Sequence, residues 1–128
     1  MSLTWQKLIE KVKAETKEIT TEELNQQLNQ GKITVIDIRE NEELSTGHLP
    51  NAIFIPRGFL ELRIEATAPE RDQAICLYCG GGNRSALAAR SLQELGYLKV
   101  FSLEGGISRW IRENRRIELP KEPDIDPQ

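Results

Sequence analysis

The chain is organised around residues 74–85, which read Ala-Ile-Cys-Leu-Tyr-Cys-Gly-Gly-Gly-Asn-Arg-Ser. The apolar run at residues 74–78 predicts a buried strand, and residues 86–95 form a helical pattern that Gly96 ends. The segment between them is therefore a tight turn, with Cys79 at the end of the strand and Arg84 at the start of the helix.

Three successive glycines in this turn allow backbone N–H groups to converge, because no side chains stand between them. The start of the following helix adds unpaired N–H donors and the positive end of the helix dipole. A cysteine that faces such donors is a candidate nucleophile. The predicted site therefore consists of the catalytic residue Cys79 and an anion-binding loop made of Gly80, Gly81, Gly82, Asn83, Arg84 and Ser85.

The composition is that of an ordinary globular domain. The chain has 128 residues, which fits a single domain, and a formal net charge of −3, which gives no electrostatic case for binding nucleic acid or acidic membranes. No apolar run approaches the roughly 20 residues that cross a bilayer. The N-terminus lacks the apolar segment of a secretory signal, so we expect a cytoplasmic protein with no membrane partner.

The two cysteines, Cys76 and Cys79, have C-x-x-C spacing. Two cysteines do not make a disulfide framework, and a zinc site would need two further ligands where the chain offers only His48. We therefore expect no metal. The pair is either a redox couple or a nucleophile beside a core residue. We favour the second interpretation, because Cys76 falls inside the predicted strand.

Outside this segment, short apolar runs alternate with helical patterns. The stripe at residues 5, 8, 9 and 12 predicts an amphipathic helix, either packed on the outside of the domain, which we favour, or docking a partner. Thr20 and Glu23 form a capping-box signature for a helix that Gly31 ends. A further helix is predicted at residues 59–64, and a loop follows it at residues 66–72. The last predicted helix has Ile107, Trp110 and Ile111 on its apolar face.

Strands are predicted at residues 33–38, 53–55 and 99–103 as well as 74–78. The alternation indicates an α/β fold with a mainly parallel central sheet. Residues 1–16 form the N-terminal helix of this arrangement, 17–116 the domain, and 117–128 a proline-rich flexible tail or the start of a linker.

Four further polar residues are candidates for the site. Asp37 and Arg39 close the strand at 33–38, at the edge of a parallel sheet where α/β folds place their sites. They are either catalytic or an ion pair that fixes the loop, and we favour the ion pair. Arg57 follows the strand at 53–55 and, with Arg39, is a candidate for the pocket mouth. His48 lies in a turn beside Pro50, so we expect it to be structural.

Three segments, in order, resemble signatures of the rhodanese-like (sulfurtransferase) family. The family's first signature is similar to residues 35–39, 42–43 and 47–53. Its active-site loop is similar to residues 78–85, and its closing motif is similar to residues 103–106 with Trp110. The resemblance covers roughly residues 17 to 115. It implies a single-domain rhodanese fold, with helices on both faces of the sheet.

The resemblance also implies a chemistry. Cys79 would take sulfane sulfur from a small donor such as thiosulfate, hold it as a persulfide, and pass it to cyanide, a small thiol or a protein cysteine. No cofactor is implied. Arg84 is the single cationic side chain of the loop, whereas some thiosulfate-using members carry a further cationic or bulkier one. We therefore expect thiosulfate to be a poor physiological donor.

Two other functions fit parts of this pattern. A phosphatase or arsenate reductase of the same fold also uses a cysteine followed by an arginine, but here only four residues, 80–83, separate Cys79 from Arg84. The smaller cradle favours sulfur over a tetrahedral oxyanion. A sulfur-carrier or regulatory module acting on a protein partner is the other alternative. The oligomeric state stays open.

Overall fold

A computed structural model describes residues 2–120 and contains a five-stranded sheet. The strands are β1 (Lys17–Ile19), β2 (Thr34–Asp37), β3 (Ile53–Phe54), β4 (Ala74–Tyr78) and β5 (Lys99–Leu103). Their order across the sheet is β1-β5-β4-β2-β3, and every neighbouring pair is parallel. The predicted α/β architecture with a parallel sheet is therefore confirmed.

Five α-helices accompany the sheet within the described residues. They are α1 (Trp5–Glu15), α2 (Thr21–Asn29), α3 (Leu60–Thr67), α4 (Asn83–Glu94) and α5 (Gly106–Arg112). Two 3-10 helices, at Asn41–Thr46 and Arg57–Phe59, follow β2 and β3. None of the helices between residues 2 and 120 has the length and apolar character needed to cross a bilayer.

The core is divided between the two faces of the sheet. Ile75 and Leu77 of β4 pack with residues of α3 and α4, whereas Cys76 and Tyr78 pack with residues of α2 and α5. This alternation follows from the two-residue period of a strand, and it shows that β4 is covered on both faces. Cys76 is fully buried, as predicted, and burial raises the pKa of its thiol.

Local signals set most helix boundaries. Thr20 Oγ1 accepts a hydrogen bond from the Glu23 N–H at 3.1 Å, and the Glu23 carboxylate accepts one from the Thr20 N–H at 3.3 Å, which is the predicted capping box of α2. Helix α4 begins at Asn83 rather than at residue 86, so Arg84 lies within its first turn. Helix α3 continues to Thr67, into the segment predicted to be a loop.

The termini of the described region pack against the domain. Helix α1 contacts α4 and buries Val12, which confirms the packed interpretation of this helix, while Trp5 remains 53% exposed.

In α5, Ile111 is 41% exposed and does not share the buried face of Ile107 and Trp110, contrary to the prediction.

Contacts with the domain continue past residue 116, where we placed the start of the tail. Ile117 packs against the core cluster that contains Trp110. The main chain of Glu118 exchanges two hydrogen bonds of 2.8 Å with that of His48. The rest of the predicted tail, residues 121–128, lies outside the described residues.

The burial of Val12 gives a direct test of α1. Val12→Ala removes the fully buried branched side chain of α1, the helix that contacts α4, so we expect the free energy of unfolding to fall by about 2 kcal/mol. Urea denaturation measures this change. Lys11→Ala, on the exposed side of the same helix, should leave the value within about 0.5 kcal/mol. Equal effects of the two substitutions would contradict the packing of α1.

Candidate active-site loop

Residues 79–82 connect β4 to α4 and lie at the carboxyl edge of the central strand. The ends of β2 and β3 lie at this same edge, because both run parallel to the sheet's other strands. Asp37 ends β2, and Arg57 follows β3. The topology therefore brings the predicted site residues of three strands to one side of the sheet.

The Cys79 sulfur is enclosed by the loop that follows it. Cys79 is 1% exposed, and its Sγ accepts a hydrogen bond from the Gly82 N–H at 3.1 Å. Gly82 has a φ of +105°, a conformation that residues with a Cβ rarely adopt, so glycine is needed for this N–H to reach the sulfur. Gly82 thus supplies one of the backbone donors that were expected to face Cys79.

A buried hydroxyl group lies beside the sulfur and contacts a second buried hydroxyl group. Ser85 Oγ is 3.5 Å from Cys79 Sγ, 3.2 Å from the Gly82 carbonyl oxygen and 2.7 Å from Ser102 Oγ. Ser85 was predicted as part of the loop. Ser102 was missed, although a serine within the apolar run of β5 is a polar group that needs a partner when buried.

Helix α5 supports the loop from the other side. The N–H groups of Ile107 and Ser108 donate to the carbonyl oxygens of Cys79 and Gly80, each at 3.0 Å. Gly106, at φ +60°, makes this approach feasible, because a Cβ there would stand 2.3 Å from the Gly80 oxygen. The closing motif thus fixes the direction of the loop's carbonyl groups.

Arg84 is paired with Glu43 in a contact that sequence reasoning missed. Its two terminal nitrogens donate to the two carboxylate oxygens of Glu43 at 2.7 and 2.9 Å. The guanidinium of Arg84 lowers the pKa of the Glu43 carboxyl to about 2, and the same hydrogen bonds raise the pKa of Arg84. Glu43 is one of three glutamates in residues 40–43, and nothing in that run distinguished it.

Asp37 and Arg39 form the predicted ion pair. Arg39 Nη2 lies 2.8 Å from Asp37 Oδ2, and the guanidinium also donates to the carbonyl oxygens of Glu43 at 3.1 Å and Gly47 at 2.7 Å. The Tyr78 hydroxyl donates to Asp37 at 2.5 Å, and burial raises its pKa. Because both charged side chains are buried and fully hydrogen-bonded, they hold the segment at residues 41–47 in place.

Arg57 and His48 contact other parts of the fold. Arg57 pairs with Glu61 at 2.8 Å and donates to Ser91 of α4 at 3.0 Å, so it joins α3 to α4. His48 Nδ1 lies 2.9 Å from the Leu49 carbonyl oxygen, and its main chain pairs with Glu118. These contacts support the structural role expected for His48. For Arg57 they indicate a structural role as well, as a connection between α3 and α4.

The close approach of α5 predicts a sensitive glycine. Gly106→Ala would place a Cβ against the carbonyl oxygens of Cys79 and Gly80 in a left-handed conformation, so we expect at least about 2 kcal/mol of destabilisation in urea denaturation. Gly58→Ala is the matched control, because a Cβ there meets nothing within 4 Å and the φ is not positive. A variant at Gly106 as stable as the one at Gly58 would refute this account of the loop.

The pair of Glu43 and Arg84 predicts a pH dependence of stability. Because the folded-state pKa of Glu43 is about 2 rather than 4.5, its contribution is fully present above pH 4.5 and is lost as the pH falls towards 2. Both side chains are over a third exposed, at 34% and 42%, so we expect Glu43→Gln to cost only about 1 kcal/mol at pH 7. Denaturation of both proteins from pH 7 to 2 should show this difference shrinking below pH 4.5. A difference that is constant with pH would contradict the ion pair.

Comparison with known proteins gives a consistent result. The model of the rhodanese-like domain family matches residues 20–113. A sulfurtransferase of Allochromatium vinosum is 33% identical over 105 residues, covering 81% of this chain and 96% of that protein. The crystal structure of a rhodanese-related protein from Thermoplasma volcanium is 36% identical with a TM-score of 0.72, covering 81% of this chain and 99% of that one.

The same sequence also resembles part of a larger protein. It is 32% identical over 102 residues to the tRNA uridine(34) hydroxylase of Erwinia tasmaniensis, covering 77% of this chain but only 29% of that protein. The match to the domain model and the near full-length match to a sulfurtransferase confirm the resemblance seen in the sequence. The chain belongs to the rhodanese-like family.

Proposed function

We propose that the protein is a sulfurtransferase that carries sulfane sulfur as a persulfide on Cys79. The observation that carries this proposal is the Gly82 N–H at 3.1 Å from Cys79 Sγ, at the end of the central strand. A backbone donor aimed at sulfur can stabilise negative charge there without reorganisation during the reaction. The similarity to a sulfurtransferase over 96% of its length supports the same class of reaction.

In the first step, the Cys79 thiolate attacks the outer sulfur of a donor. With thiosulfate, an S–S bond forms to Cys79, the S–S bond of thiosulfate breaks, and sulfite leaves with the electron pair. The persulfide keeps one negative charge on its outer sulfur. The Gly82 N–H, which donates to the resting sulfur, is the group that we expect to stabilise this charge.

In the second step, an acceptor takes the outer sulfur. Cyanide, or the thiolate of a small molecule or a protein, attacks that sulfur, the S–S bond to Cys79 breaks, and Cys79 leaves as the thiolate. Neither step consumes or releases an electron, and neither requires a metal or an organic cofactor. The partners we propose are thus a small sulfur donor and a thiol or cyanide acceptor, in the cytoplasm and without nucleic acid.

The short loop and the pairing of Arg84 with Glu43 favour this reaction over dephosphorylation. Four residues separate Cys79 from Arg84, and α4 begins directly at Asn83. The guanidinium of Arg84 lies on Glu43, so it is already engaged by a carboxylate. A phosphate dianion would have to compete with that carboxylate for the guanidinium, whereas a single sulfur atom on Cys79 would not.

The proposal predicts a defined covalent adduct. Incubation with a sulfur donor followed by intact-mass measurement should show a gain of one sulfur atom, about 32 Da, that cyanide removes. Cys79→Ser should abolish the gain. Cys76→Ala is the matched control and should retain it, because Cys76 is buried on the opposite face of β4. The absence of an adduct with thiosulfate and with alkyl persulfides would refute the proposed function.

A further inference from the structure

Residues 79–85 carry one cationic side chain, that of Arg84, and Glu43 engages it from outside the loop. The contact uses both terminal nitrogens of Arg84 and both carboxylate oxygens of Glu43, at 2.7 and 2.9 Å. Such bidentate pairs are stronger and better oriented than single contacts. Since the two charges cancel, the loop offers little net positive charge to an approaching donor.

Glu43 is held in position by contacts that do not involve Arg84. Its carbonyl oxygen accepts a hydrogen bond from Arg39 Nη1 at 3.1 Å, and its Oε1 accepts one from the Glu40 N–H at 3.0 Å. Arg39 is itself anchored on the buried Asp37. The carboxylate is therefore fixed by the fold where it meets Arg84, which distinguishes this pair from an incidental surface contact.

The rest of the loop does not replace the neutralised charge. Gly80, Gly81 and Gly82 have no side chains, and Asn83 is neutral and exposed. A Cβ on Gly80 would stand 3.4 Å from Arg84 Nη2, so the paired guanidinium lies directly beside the loop backbone. A donor that reaches Cys79 thus meets the Gly82 N–H and a guanidinium that is already paired with Glu43, instead of a free cationic side chain.

We propose that Glu43 determines donor selectivity, by neutralising Arg84 so that the loop disfavours the thiosulfate dianion and suits a persulfide on a thiol of low charge. This inference rests on the proposed function, since it concerns which donor delivers sulfur to Cys79. Glu43 acts through Arg84 and is a positioning residue that sets the charge of the loop.

Transfer from an alkyl persulfide balances without another reactant. The Cys79 thiolate bonds to the terminal sulfur, the S–S bond of the donor breaks, and the alkyl thiolate leaves with the electron pair. The proton of the terminal sulfur is carried with that sulfur to Cys79 and is then released to solvent, which leaves the anionic persulfide. The reacting centre therefore carries one negative charge throughout, whereas attack on thiosulfate brings the thiolate up to a dianion.

The test compares two rates of persulfide formation on Cys79, one from thiosulfate and one from an alkyl persulfide whose alkyl group is uncharged, by intact mass in single turnovers. Glu43→Gln keeps the size of the side chain and leaves Arg84 without its counter-charge. We expect it to raise the ratio of the thiosulfate rate to the persulfide rate by about tenfold at low salt. The increase should shrink at about 0.5 M salt, where charges are screened.

Two further variants make the comparison decisive. Glu42→Gln removes an exposed neighbouring charge and should keep the wild-type ratio. Gly81→Lys adds a cation where a Cβ meets nothing within 4 Å and the φ is not positive, so it should raise the ratio while leaving the ion pair intact. Thermal melting of each variant establishes that it is folded.

The outcomes separate the two proposals. If Gly81→Lys raises the ratio and Glu43→Gln leaves it within a factor of about two of the wild type, the role of Glu43 is overturned while the sulfurtransferase function stands. A ratio that neither variant changes also overturns the role of Glu43. If neither donor forms a persulfide on Cys79 in the wild type, the proposed function itself fails, and the selectivity of Glu43 fails with it.

Discussion

The guanidinium of Arg39 joins the end of β2 to the segment at residues 41–47 that follows it. It binds the Asp37 carboxylate at the end of β2 and the carbonyl oxygens of Glu43 and Gly47 farther along the chain. A 3-10 helix with no buried residue of its own is thereby tied to the central sheet. The ion pair between Glu43 and Arg84 depends on this contact. The hydrogen bond from Arg39 positions the Glu43 backbone, and the Glu43 carboxylate is positioned with it.

A buried ion pair is costly to desolvate, and its value lies in the groups that would be left unpaired without it. Here Asp37 also accepts the Tyr78 hydroxyl, and that hydroxyl in turn accepts the Leu49 N–H at 3.1 Å. Loss of Arg39 would leave the Asp37 charge and two carbonyl oxygens without their partner. The network therefore fixes where the segment after β2 lies.

Local patterns predicted most of the fold, because they act over a few residues. The capping box of Thr20 and Glu23, the strand at Lys99–Leu103 and the burial of Cys76 are all as expected. The contacts that the sequence could not predict join distant segments. Glu43 meets Arg84 across 41 positions and Ser85 meets Ser102 across 17, and each partner alone is an ordinary polar residue. Ile111 follows the buried Ile107 by four residues and is still 41% exposed, so helical spacing alone did not determine which side of α5 is covered.

The position of β5 has a consequence for the order of assembly. It is the last strand along residues 2–120, yet it lies between β4 and β1 in the sheet. While the protein is being synthesised, β1 has no partner and one edge of β4 stays open until residues 99–103 emerge from the ribosome. Unpaired strand edges of this kind invite association with other chains. The backbone contacts of Ile107 and Ser108 with the loop form later still, so Cys79 acquires its native surroundings only after these two residues have been synthesised.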